Sequence, residues 1–519
     1  MMTPNPSSAD PVVLSAATPQ LSASKFKATE FPTLICYQNE WMSWDGAAYQ
    51  GLEAETVEAH LSAFMGNAKT ATYEEVTDPE TGDDRRAVKL TPFNPKSRDI
   101  NDVYKMLKHL CHVPIGTMDP PSWLKGTPTQ YAKLLPKNLI SFQNGLLDIE
   151  TRVLHPATPF FFTRTALQMN YDPNAPEPTL WLEFMRQVTK DRQPLIELTQ
   201  EMLGYLISTD TSMHKIFFLW GRPRSGKGTI LRITTALVGE KNMRYPSIET
   251  LAGRFGMHNL IGGSVAQITD ANTMDNRDLG KCGSRMNGIS GEDGQTVERK
   301  GIGDWNGKIS VRFQIAGNTL PNFGTNTVAM ATRLLIIPFD ETFEGREDRA
   351  LTDKLIAELP GILNWALVGL DRLRLMGDFV EPNDSKVAKK RLVHLSDPIH
   401  GFVEDYCVLK GGAGVDRDVL YGAYVRFCEG NHVKAKGLGE FTEGLQAIHS
   451  SVLTGRRRKG NEAQVHCYRN ITLNDEIAEK VYQVDRDESD DLGVGVLITI
   501  KRDVSGWPVP RATGGDFAP

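Results

Sequence analysis

The chain has 519 residues, with 58 Lys and Arg against 64 Asp and Glu, for a net charge of −6. With 40% hydrophobic and 24% charged residues it is globular rather than largely disordered, and its length suits about three domains. The balance excludes a wholly basic nucleic-acid coat but leaves room for local basic patches. Six cysteines without a CxxC pair exclude a zinc ribbon or a disulfide framework and point to a reducing interior. No run approaches the ~18 apolar residues that span a bilayer, so a cytoplasmic protein without a membrane partner is expected.

Residues 1–24 are rich in Ser, Pro and Ala and lack the basic start of a secretory signal, so they read as a disordered tail. Residues 25–180 are expected to form a mixed α/β N-terminal domain, with aromatic and apolar alternation around Trp41, Trp44 and Tyr49. In it the acidic run Asp78–Arg86 predicts an exposed hairpin or loop, and Leu139–Asp148 predicts strand broken by an Asn-Gly turn. His109, Cys111 and His112 fall on a predicted helix as packing residues rather than metal ligands. No Asp-x-Asp on a plausible strand precedes Leu139, so no polymerase domain is read, since template-directed synthesis needs clustered carboxylates.

Pro173, Pro176 and Pro178 mark a boundary before a helical stretch from Trp181 to about Ile207, within a domain expected over 181–345. A helical segment over 346–396 follows, with Leu351, Leu355, Leu359, Leu363 and Leu367 on one face and Pro360 at a helix start or kink. A compact unit over 397–475 and an acidic, flexible tail over 476–519 complete the chain.

The strongest motif is Gly221, Arg222, Pro223, Arg224, Ser225, Gly226, Lys227, Gly228 and Thr229, between an apolar strand (Lys215–Trp220) and an amphipathic helix. Glycines let backbone N–H groups close on phosphates, the helix N-terminus adds partial positive charge, and Lys227 reaches the β- and γ-oxygens of a nucleotide. The hydroxyl expected directly after the lysine comes one residue late, so Thr229 is the candidate Mg2+ partner. Ser264–Asp270 reads as a buried strand ending in an acid, and an NTPase needs such an acid to hold Mg2+. Lys308–Gly317 reads as another strand with Asn318 at its tip, where an amide can orient water, and Arg333 opens a further buried strand.

This series, GRPRSGKGT, ITDA, ISGEDGQTVERK, FQIAGN-LP and ATRLLIIPF followed by GREDRALTDKLIAELPGILNWAL, resembles the superfamily 3 helicases. More closely it resembles the phage and plasmid primase-helicase family, related to the poxvirus primase-helicase, over about Trp41–Leu473. The resemblance implies an AAA+-like P-loop ATPase core that uses ATP and Mg2+ in the cytoplasm of a bacterial host cell. Lys227 then binds phosphate, Asp270 stands at the Walker B position, Asn318 is the sensor, and Arg333 acts across a subunit interface in a homo-oligomer, a hexamer. Many relatives carry two adjacent acids at the Walker B strand; here Thr269 precedes Asp270, and Glu292 and Asp293 are candidates for the general base only by nearness in sequence. Arg299 and Lys300 lie where the family places its DNA-contacting loop, and with Lys308 they flank Trp305, an aromatic suited to stacking on an unpaired base.

Toward the C-terminus, helical faces carrying Leu420, Tyr424 and Phe427, then Phe441, Leu445 and Ile448, precede a basic hairpin, the layout of a winged helix. Between Val433 and Asn470 seven basic residues face three acids, and Arg456, Arg457, Arg458 and Lys459 form the expected wing. The resulting expectation is an ATP-dependent DNA helicase acting on single-stranded, forked or origin DNA in a phage, prophage or plasmid replication system, beside a separate primase or polymerase. Two other classes share its features: an ATP-switched origin-binding loader that does not unwind, and a nucleotide kinase, whose phosphate loop also carries Gly-Lys-Gly-Thr.

Overall fold

A computed structural model describes residues 11–77, 84–269, 276–299, 302–320, 327–458, 464–479 and 481. The N-terminal part starts with helix α1 (Pro19–Glu30), the antiparallel sheet β1 (Ile35–Tyr37), β2 (Glu40–Trp44) and β3 (Tyr49–Leu52), and helix α2 (Ala54–Gly66). Strands β4 (Lys69–Thr77) and β5 (Asp84–Pro92) make an antiparallel hairpin around the acidic run, whose residues 78–83 lie outside the described ones. Helix α3 (Ser97–Leu110) buries Val103 and Leu107 against Phe26, Trp41, Leu61 and Cys111. After β6 (Ser122–Trp123) come β7 (Leu139–Phe142), β8 (Gly145–Asp148) and β9 (Leu154–His155), with β7 and β8 flanking the Asn-Gly turn as expected. Strand β10 (Phe161–Phe162) returns to pair with β6.

The helical stretch expected over 181–207 is two helices, α4 (Thr179–Thr189) and α5 (Gln193–Ile207). Lys190 and Asp191 take φ of 54° and 56°, and Pro194 in the first turn of α5 has no N–H with which to continue a helix from α4. The central unit then runs β11 (Ile216–Gly221), α6 (Lys227–Val238), β12 (Met243–Arg244), α7 (Ile248–Ala252), β13 (Val265–Ile268) and α8 (Asn276–Ser290). It continues with the hairpin β14 (Gln295–Arg299) and β15 (Ile302–Gly307), then β16 (Arg312–Gly317), α9 (Thr327–Arg333) and β17 (Leu334–Phe339). Five of these strands form one parallel sheet in the order β12-β13-β16-β11-β17. Strand β16 begins at Arg312, the residue that registers with Val265, rather than at Lys308.

Both faces of this sheet are covered, which is why its strands read as unbroken apolar runs. Side chains alternate along β11: Phe217 and Leu219 enter one core, Ile216 and Phe218 the other. The first core also takes Ile140, Phe142 and Trp181, together with Leu363 and Leu370 of α11 (Leu359–Met376). Helix α11 follows α10 (Leu351–Ala357), with Pro360 in its first turn, the helix start expected there. The hydrophobic core therefore crosses the boundaries expected at 180 and 345, because β7, β8 and α11 contribute side chains to the same core as the sheet and helices α4, α5 and α6. Helix α12 (Asn383–Ser396) adds Ala388 and Leu392 to the second core.

The C-terminal unit contains α13 (Pro398–Tyr406), β18 (Cys407–Asp416), α14 (Arg417–Gly430), α15 (Leu438–Ile448), β19 (Leu453–Arg458) and β20 (Gln464–Leu473). Its sheet is antiparallel in the order β18-β20-β19, and the predicted faces of α14 and α15 bury Tyr424, Phe427, Phe441 and Leu445 in a separate core with Phe402 and Tyr468. The turn of the β19–β20 hairpin, 459–463, lies outside the described residues. Among the described residues no helix is long and apolar enough to cross a membrane.

Candidate active site

The loop from Gly221 to Gly226 leaves β11 at the C-terminal edge of the parallel sheet and enters α6 at Lys227. Gly226 has a φ of +91°, which L side chains rarely adopt, and a Cβ there would lie 2.7 Å from Val188 Cγ1. Arg224 also sits in the left-handed region, at φ 61°. Its carbonyl accepts from Phe343 N (2.9 Å) and its guanidinium meets Glu347 (3.0 Å), so the segment after β17 holds the loop in place.

Lys227 is 9% exposed. Its Nζ donates to the carbonyls of Gly221 and Arg222 (both 2.7 Å), to Ser225 Oγ (3.2 Å) and to Asn318 Oδ1 (3.1 Å). Burial lowers its pKa to about 8. The two residues expected to bind phosphate and to sense it, 91 positions apart in the chain, thus touch. The cause is the strand order: β16 pairs with β11 in parallel, Trp220 opposite Gly317, so Asn318 emerges beside the loop.

These residues line a cavity of about 630 Å3. Its wall carries five cations, Arg224, Lys227, Arg232, Arg346 and Arg349, against Glu347 and Asp348. The amides of Thr229 and Ile230 donate back to the carbonyl of Gly226, whereas the first amides of a helix have no preceding helical carbonyl to bond. A cationic cradle at a helix N-terminus fits a polyphosphate. Thr229 lines the same cavity, and its Oγ1 accepts from Arg232 Nη2 at 3.3 Å. Leu180, Phe184 and Gln187 of α4, with Phe343, Leu351 and Thr352, complete the wall. Reading the sequence missed this second half because no local pattern ties positions 180–187 and 343–352 to the loop.

Asp270 lies outside the described residues; the strand before it, β13, is a parallel neighbour of β16. Arg333 ends α9 at the opposite edge of the sheet, since Leu334 registers with Ile216. The length of β11, roughly 17 Å at ~3.3 Å per residue, separates it from the loop of its own chain. Glu292 is at that far edge too, accepting from Thr211 Oγ1 (2.5 Å) and facing Lys308 Nζ (3.6 Å). Glu292 and its neighbour Asp293 are thereby removed as bases for the Lys227 site of the same chain.

Of the expected DNA contacts, Arg299 is corrected: its side chain is 1% exposed. Its guanidinium donates to Glu40 (2.7 Å), to the Gln38 carbonyl (3.2 Å) and to the Gly303 carbonyl (2.9 Å), and so ties the hairpin to the N-terminal part. Trp305 is corrected likewise; it is buried in the second core and offers no face for stacking. Lys300 and Lys459 lie outside the described residues. Lys308 is 64% exposed, Arg456 is exposed on β19 opposite His466, and Arg457 and Arg458 continue that strand.

Comparison with known families gives three matches: residues 28–190 to the family described as D5 N terminal like, 394–479 to Poxvirus D5 protein-like, and 219–333 to a family of unknown function. The two D5-like matches lie on either side of the phosphate loop and support a primase-helicase-like protein. The Poxvirus D5-like match takes in the whole C-terminal unit, and the D5 N-terminal match extends from α1 through α4 to Lys190. Among solved structures, the chain is similar to the apo C-terminal region of NrS-1 at 11% identity and a TM-score of 0.41, over 57% of this chain and 77% of that one. A second apo structure of that region matches at 10% identity and 0.40, over 58% and 78%.

Proposed function

We propose that this chain is an ATP-dependent DNA helicase working as a ring, most simply a hexamer, at the replication of a phage, prophage or plasmid. The observation that carries the proposal is the Lys227–Asn318 contact in a cationic cavity at the C-terminal edge of a parallel sheet. When bound, ATP supplies the phosphoanhydride to be hydrolysed and Mg2+ supplies charge neutralisation. Lys227 and the first amides of α6 bind the phosphates, Asn318 orients water, and Thr229 and Asp270 hold the metal. Arg333, remote from Lys227 in its own chain, serves the nucleotide of a neighbouring copy. The C-terminal unit, with helices preceding a basic hairpin, acts as a winged helix through Arg456, Arg457, Arg458 and Lys459, and Lys300 and Lys308 contact the strand. The test is ATP hydrolysis with and without single-stranded DNA, alongside strand displacement on a forked duplex. DNA-stimulated turnover and unwinding are expected, both lost in Lys227→Ala; tight DNA binding with neither activity would leave an ATP-switched loader instead.

A further inference from the structure

Helix α12 is a rod of 14 residues, about 21 Å long at ~1.5 Å per residue, that reaches from the sheet to the C-terminal unit. Its first turn is anchored: Arg192, between α4 and α5, meets Asp384 (3.2 Å) and also Asp340 just after β17 (2.8 Å). Its buried side packs Ala388 and Leu392 into the second core with Met330 of α9, the helix that ends at Arg333. Its last turns meet the C-terminal unit. Lys390 pairs with Asp405 of α13, and His394 packs edge-on against Phe427 of α14, their ring centroids 5.6 Å apart. Arg391 faces the other way and lies over the ring of Trp220, 5.8 Å from its centroid. Trp220 immediately precedes the phosphate loop, and its Nε1 donates to the Asn318 carbonyl (3.2 Å), while Asn318 Oδ1 accepts from Lys227 Nζ. A chain of contacts thus runs from α13 through α12 to the amine of Lys227.

Contact alone does not couple two sites; an element with two arrangements does, and this chain holds a changeable bond at each end. The protons of the Lys227 ammonium are shared among four neutral oxygens, so an arriving phosphate takes the amine from partners that include Asn318. A shift of Asn318 is felt at Trp220 through the carbonyl that the indole holds. At the far end His394 Nε2 and Asp405 Oδ2 are buried 3.4 Å apart, and neither has a hydrogen-bond partner among the described residues. A small rotation of α13 against α12 would complete that bond, and leaving it unmade is costly in a buried joint. We propose that Trp220 and Arg391 are positioning residues of the nucleotide site, through which α12 couples that site to the C-terminal unit, so that nucleotide and DNA change each other's affinity. Such linkage is reciprocal. The inference rests on the reading that Lys227 binds nucleotide and the C-terminal unit binds DNA, and it needs neither hydrolysis nor unwinding.

The test measures the affinity of the full chain for a fluorescent single-stranded oligonucleotide with and without saturating ATPγS, and its affinity for ATPγS alone. In the native chain the two DNA affinities should differ at least ~5-fold, the lower end of ordinary coupling between sites. Asp405→Asn, remote from both ligands, should bring that ratio under ~2-fold while each ligand alone binds as in the native chain. Trp220→Phe, which keeps a ring under Arg391 but loses the indole N–H, should uncouple in the same way. So should Arg391→Gln, whereas Arg391→Lys, which keeps a cation over the ring, should retain the native ratio. Thermal unfolding checks that each variant is folded; where Asp405→Asn is not, Trp220→Phe and the Arg391 pair decide. A native chain that binds both ligands indifferently to one another, or variants that keep the native ratio, would overturn the inference alone. A native chain that binds no nucleotide, or no DNA, would instead sink the function proposed above and this inference with it.

Discussion

Lys227 is caught between burial, which disfavours its charge, and the anion it would receive in the proposed function. With a pKa lowered to about 8, the amine is charged below that value and loses its proton above it. A polyphosphate binds the charged form, so affinity should be flat up to about pH 8 and fall ~10-fold per unit beyond it. Nucleotide titrations near pH 7 and pH 9 should therefore differ by roughly an order of magnitude, while Lys227→Arg should show no such break. Equal affinities in the native chain would contradict a phosphate-binding amine whose charge is lost between those values. Arg299 makes the contrasting case: it shares Glu40 with Arg164, so removing it leaves that carboxylate one partner and deprives the Gln38 and Gly303 carbonyls of their donor. Arg299→Ala should cost about 2 kcal/mol in urea unfolding. The exposed Lys308→Ala should cost under ~0.5 kcal/mol.

At the scale of elements, α5 and α11 meet through glycines. A Cβ on Gly204 would lie 2.4 Å from the Ala366 carbonyl, and one on Gly369 would lie 2.4 Å from the Gln200 carbonyl. Gly204→Ala should therefore force the helices apart at a cost of about 2–3 kcal/mol, measured by denaturant unfolding. Gly411→Ala, with nothing near its Cβ, should be close to neutral. The elements around the loop were legible in the sequence because local signals agreed: an apolar strand, a glycine loop, helical periodicity, and a Gly after α6. Strand β18 was not legible, since Lys-Gly-Gly-Ala-Gly reads as a linker; pairing with β20 on either side of it, at Cys407–Leu409 and Gly414–Asp416, carries the strand across a break in register. Arg299 and Trp305 were misread for a related reason. Their burial is supplied by Gln38 and Glu40, some 260 positions earlier, and by the core under the sheet, neither of which leaves a local trace.

Over the whole molecule, the loop of Lys227 and Arg333 at the end of α9 lie at opposite edges of one parallel sheet. Copies arranged in a ring would bring one edge against the other, so that each nucleotide is completed by the next subunit. In the proposed ring, hydrolysis would be a property of the interface, while the C-terminal unit keeps a core of its own. The most direct measurement is ATPase activity of Lys227→Ala and Arg333→Ala chains, alone and mixed. Each should be inactive alone, and the mixture should regain activity at interfaces pairing an intact Lys227 with a neighbour's intact Arg333. A mixture no more active than its parts, in chains that still assemble, would contradict a site shared between subunits.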